Sequence, residues 1–109
     1  MSENSYTDRI AAIMLAFKDA LPKKITDIEN HWQMLQQNWD DKLLSEFRDL
    51  SHSLAGSAAT FEYDEVGECA RKIETILRTH QDNGVAVNDD VKQEIDVLVK
   101  TLRSLAESS

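Results

Sequence analysis

At 109 residues the chain has room for one domain and for a core that needs neither disulfides nor a structural metal. Its 20 acidic and 12 basic side chains leave a formal net charge of −8, which argues against nucleic acid or an anionic membrane surface as partner. Cys69 stands alone, excluding an internal disulfide and a cysteine-built zinc site. No stretch has the apolar length of a membrane span or a signal peptide, so a cytoplasmic protein is expected.

Three glycines and one proline leave few breaks, and apolar residues recur at three and four positions rather than two, which predicts an all-α chain. The first segment begins near Ser5 or Thr7, with Ser5 and Asp8 spaced as in a capping box, and carries Ile10, Ile13, Met14, Phe17 and Leu21. Pro22 is expected to stop it and to open a second helix, whose stripe is Ile25, Ile28, Trp32, Leu35 and Trp39, both tryptophans serving as core. Asp40 and Asp41 suit the start of a third helix, with Leu43, Phe47, Leu50, Leu54, Ala58 and Phe61 on its buried side. After a break near Glu62 to Asp64, a fourth runs to about His80 through Val66, Ala70, Ile73 and Leu77, and Asn83–Gly84 favours a turn. Asn88 is placed to cap the last helix, with Val91, Ile95, Leu98, Leu102 and Leu105 as its stripe. The expected architecture is a single domain over residues 1–109: an antiparallel four-helix bundle with an additional short N-terminal helix. Four full stripes leave no obvious spare apolar face, so a monomer is expected.

The stretch HSLAGSAATF, residues 52–61, sets a histidine among small side chains. At 3.6 residues per turn the expected buried stripe of this helix clusters within about 40° of its mean, and His52 falls roughly 165° away. Arg48, Ala55, Gly56 and Ala59 share the outward face with it. Charged or amide side chains ordinarily fill such a face, and glycine in mid-helix costs about 1 kcal/mol relative to alanine. One explanation is a neighbouring helix packed closely on the small residues with His52 at its margin. The wheel favours another, a bare patch on which a second protein docks while the imidazole protrudes. A neutral imidazole nitrogen is a competent nucleophile and can hold a phosphoryl group as a phosphoramidate.

The stretch SHSLAGSAATFEYDEVGECARKIE resembles the histidine-containing phosphotransfer (HPt) domain, whose signature is a histidine followed by x-Leu-Lys-Gly and a small-residue run to a second glycine. His52, Leu54 and Gly56 match in register, Ser57 to Phe61 suits the run, and Ala70, Ile73 and Glu74 resemble an Ala-x-x-Leu-Glu pattern in the next helix. The signature lysine is Ala55 here and the second glycine is Glu62. Arg48, one turn before His52, is placed by spacing to supply the missing charge.

The resemblance implies a phosphorelay intermediate in which His52 takes a phosphoryl group from an aspartyl phosphate and returns it to another. Its partners would be response-regulator receiver domains or a hybrid sensor histidine kinase, and the receiver would bring the Mg²⁺, so no cofactor or metal site of its own is expected. No glycine-rich nucleotide loop occurs, so the chain is not expected to be a kinase or other enzyme. Paired Glu-x-x-His motifs for a carboxylate-bridged metal centre are absent, and Asp49 with His52 has no second copy. His31 and His80 read as ordinary residues, and Arg71 and Lys72 fit a solvated helix face better than a charge contact. The alternative is a helical-bundle adaptor that binds a signalling partner without being phosphorylated.

Overall fold

The computed structural model describes residues 2–108, with side chains from Ser5 onward. Among these residues there are four helices and no strand: α1 (Ser2–Gln37), α2 (Asp41–Thr60), α3 (Asp64–Asn83) and α4 (Asp89–Ser108). Each helix packs against two others, α1 on α2 and α4, and α3 on the same pair, which closes a four-membered bundle. Phe17 stacks on Phe61 at 4.8 Å and Trp32 on Phe47 at 5.7 Å, so α1 and α2 run antiparallel, as their short connection requires.

The separate short N-terminal helix is not found. Pro22 lies inside α1, and the helix is already running at Ser5, so neither residue marks a boundary. A proline within a helix loses one hydrogen bond and strains the preceding turn, at about 3 kcal/mol or more. What carries the helix through is packing: Phe17, Leu21, Ile25, Ile28, Trp32 and Leu35 are buried in one series spaced by fours and threes. A break at Pro22 would take the first two of them out of phase with the rest. The proline ring itself is exposed, and its carbonyl accepts the Thr26 hydroxyl at 3.0 Å.

With 36 residues α1 reaches about 54 Å at 1.5 Å per residue, which accounts for the 56 Å long axis of the molecule. Its partners of 20 residues reach only about 30 Å. The first turns of α1 therefore project past the bundle, and Tyr6, Ile10, Ile13, Met14 and Leu15 stay exposed. The expectation of no spare apolar face fails at this end of the molecule. Elsewhere α4 is fastened to α1 by Trp32, which donates to Asp96 at 3.2 Å, and by Arg103, which donates to Glu29 at 2.6 Å. Hydrogen bonds from Lys100 and then Trp32 hold the Asp96 carboxyl below its ordinary range. No helix among the described residues is long and apolar enough to cross a membrane.

Helix ends follow their local chemistry. The Asp40 carboxylate accepts from the backbone of Lys42 and Leu43, Asn88 accepts from Val91, and Gly84 closes α3 in the left-handed region at φ 68°. Glu62 takes the same left-handed conformation, φ 67°, between α2 and α3. The residue that replaces the resembled family's second glycine thus adopts a backbone that favours glycine, a strain of about 1–2 kcal/mol.

The buried sector of α2 is broader than its large apolar residues suggest. Leu44, Phe47, Ser51, Leu54, Ala55 and Ala58 are buried, while Leu43 and Leu50 are only half-buried. On the wheel its centre is turned about 50° from the expected stripe, toward α3. The cause is Gly67 on α3, where an added Cβ would lie 3.2 Å from the Ala55 carbonyl oxygen and 3.4 Å from both the Ala58 methyl and the Ala59 nitrogen. Small side chains on both helices let the backbones meet, and small side chains are what a count of large apolar residues overlooks. Ser51 sits in this seam with its hydroxyl donated to the Phe47 carbonyl at 2.9 Å.

Candidate functional site

The α2–α3 seam determines where His52 stands. With the buried sector turned toward α3, His52 lies about 110° from its centre, at the edge of the seam rather than opposite it. Its side chain is 74% exposed. Directly across the seam is Glu74 of α3, whose side chain is only 13% exposed and whose carboxylate lies 2.6 Å from the imidazole Nδ1. A carboxylate only accepts, so Nδ1 carries the proton. In the neutral ring the lone pair then sits on Nε2, which has no bonding partner among the described residues.

This arrangement decides the chemistry open to the histidine. Glu74 fixes one tautomer and one ring orientation, and it offers a negative charge to the imidazolium that forms when Nε2 makes a new bond. Nε2 is left as an accessible nucleophile on a helix held by backbone contact.

The other residues singled out from the sequence divide. Ala55 is 3% exposed and faces α3, so it belongs to the seam and not to an outer surface, a correction that favours the close-packing explanation for that residue. Gly56 and Ala59 are exposed, and a Cβ on Gly56 would meet nothing within 4 Å. Arg48 lines a cleft of about 480 Å³ together with His52 and Glu74, but its guanidinium is already engaged. It donates to Gln81 at 3.0 Å and to Asp82 at 3.3 Å near the end of α3.

A second cleft, of about 390 Å³, opens beside His52 and is lined by Ala55, Gly56, Arg71, Glu74, Thr75 and Arg78. Lys72 lines neither cleft. Arg78 and the bond to Glu74 were not visible as site features in the sequence. Arg71, Glu74 and Arg78 do repeat at three and four along α3, yet a polar stripe beside a core stripe is the ordinary pattern of any surface helix.

The remaining nucleophiles and ligands are committed elsewhere. His31 bonds to the Asp27 carbonyl at 2.9 Å and to Glu46 at 3.1 Å, and His80 bonds to the Val85 carbonyl and packs edge-on to Trp39. Cys69 is buried, directs its thiol to the Leu98 carbonyl, and is pushed up in pKa by burial against an opposing influence of Lys72. Among the described residues no three His, Cys, Asp or Glu side chains converge as metal ligands.

A family model described as the Hpt domain matches residues 12–105. No match was found among curated proteins or solved structures.

Proposed function

Because the chain belongs to the Hpt domain family, whose members carry phosphoryl groups in phosphorelays and have no kinase activity of their own, we propose that it is a phosphorelay intermediate with His52 as phosphoacceptor. The observation that supports this best is the bond from Nδ1 to Glu74, which leaves Nε2 as the nucleophile on an exposed ring. In the forward step the Nε2 lone pair attacks phosphorus of a receiver's aspartyl phosphate. The N–P bond forms, the P–O bond breaks, and the aspartate carboxylate departs with the electron pair. The ring keeps its Nδ1 proton as an imidazolium facing Glu74, and the reverse sequence delivers the group to another receiver. Such a transfer requires little beyond positioning and charge neutralisation, and the Mg²⁺ it uses comes with the receiver.

The partners in this reading are response-regulator receiver domains or a hybrid sensor histidine kinase. Their docking face is the surface around Gly56 and Ala59, where the absence of side chain lets a second backbone approach Nε2. Incubation with a phosphorylated receiver is expected to give acid-labile, base-stable label on this chain, abolished in His52→Gln. Label persisting in that variant would overturn the site assignment, and no label from several cognate receivers would favour the adaptor.

A further inference from the structure

We propose that Arg71 and Arg78 of α3 hold the phosphoryl group once it is on His52, supplying the uncommitted positive charge that α2, with Ala55 and an engaged Arg48, does not. The inference rests on His52 being the phosphoacceptor. A phosphoryl group adds one and a half to two negative charges at neutral pH, to judge from other phosphorylated side chains. Asp49, Glu74 and Asp82 line one cleft with the ring and only Asp82 is answered there, by Arg48, so added negative charge is opposed unless further cations meet it. Ala55 carries no charge and is buried, and the Arg48 guanidinium is bonded to Gln81 and Asp82.

Arg71 and Arg78 differ from Arg48 and Arg103 in having no ion pair or hydrogen bond among the described residues. Both are exposed, and both line the cleft that contains His52 and Gly56. They stand seven positions apart on α3, two turns or about 10 Å, on either side of Glu74. One face of α3 thus presents a carboxylate to Nδ1 with a guanidinium on each side of it. Gly56 leaves the space between the helices open, so a tetrahedral group on Nε2 has room in the cleft. Guanidinium groups match phosphoryl oxygens in geometry, and no bond has to be broken to recruit these two.

The test loads the full chain with phosphoramidate, a small phosphodonor that needs no receiver, and follows the lifetime of the phosphohistidine. Surface guanidiniums of this kind contribute modestly, so Arg71→Gln and Arg78→Gln are each expected to shorten the lifetime about twofold to fivefold, and the double variant about tenfold. Arg78→Lys restores part of the loss, and the difference from the natural chain narrows in 1 M salt, which a purely structural role would not produce. Unchanged lifetimes with normal unfolding curves would overturn the inference while leaving His52 intact as acceptor. Slowed transfer from a receiver with unchanged phosphoramidate lifetimes would also overturn it, assigning the arginines to the receiver contact. If the natural chain takes no label from any donor, it is the underlying reading that fails.

Discussion

Gly56 and Gly67 face each other's problem from opposite sides, and one methyl group on each should move stability in opposite directions. Both sit inside helices, where alanine is worth about 1 kcal/mol over glycine. At Gly56 nothing lies within 4 Å of the new Cβ, so the gain is kept whole. Gly56→Ala is expected to stabilise the fold by about 1 kcal/mol, or roughly 4–8 °C in Tm for a domain of this size. At Gly67 the methyl meets a backbone carbonyl at 3.2 Å and two further atoms at 3.4 Å, none of which is the far end of a flexible side chain. Overpacking of this kind costs about 1–3 kcal/mol, so Gly67→Ala should end between neutral and about 2 kcal/mol less stable. Urea and thermal unfolding of the two variants read the difference directly, with the denaturant slope unchanged if both stay two-state. Equal stabilisation in both would mean that α2 and α3 do not meet at backbone distance, and a destabilised Gly56→Ala would mean that the cleft is not open. A third variant, Gly56→Gln, should retain a normal fold and slow transfer from a receiver more than it slows loading by phosphoramidate, because a whole domain needs more of the space beside His52 than a small donor does.

Three further outcomes are expected. Glu74→Ala removes the partner of Nδ1 and should slow phosphorylation by receiver about tenfold to a hundredfold, the range set by one hydrogen bond to a charged group, whereas Glu74→Gln keeps an acceptor and should recover part of it in the same single-turnover assay. Glu62→Gly relieves the left-handed strain at a price in unfolded-chain entropy, and a net rise of up to about 1 kcal/mol in unfolding free energy is expected. The depressed carboxyl of Asp96 stabilises the fold above the ordinary aspartate range, and this contribution is lost as pH falls through its lower folded value. Asp96→Asn should therefore be less stable than the natural chain near neutral pH, by less than about 1 kcal/mol because the side chain is a third exposed, and the two should converge in acid. A gap that persists in urea unfolding at low pH would assign the effect to packing instead.

Much of this was legible before the structure. Periodicity gave the last three helices to within a few residues, and Asp40, Asn88 and Gly84 mark ends by chemistry that acts within a turn. Pro22 misled because its penalty is local and the compensation is tertiary, although Phe17, Leu21 and Ile25 keep phase across it and that continuity is written in the sequence. His52 is exposed, as its place on the wheel implies, but the wheel counted only large apolar residues and so set it opposite the core instead of at the edge of the α2–α3 seam, and mistook Ala55, part of that seam, for part of an open surface. Glu74 lies 22 residues from His52, and no sequence spacing reveals which member of a polar stripe crosses between helices.

The backbone contact at Gly67 also bears on motion. Opening the seam around His52 would require α2 and α3 to separate along Ala55, Ala58 and Ala59, which are packed too closely for one helix to slide past the other. Amide protons of these helices near the seam should then exchange with solvent only when the whole domain unfolds, while those in the projecting first turns of α1 exchange through local fraying. The imidazole would be mounted on the slowest-exchanging part of the chain, and its readiness to react would not depend on any prior rearrangement of the protein that carries it.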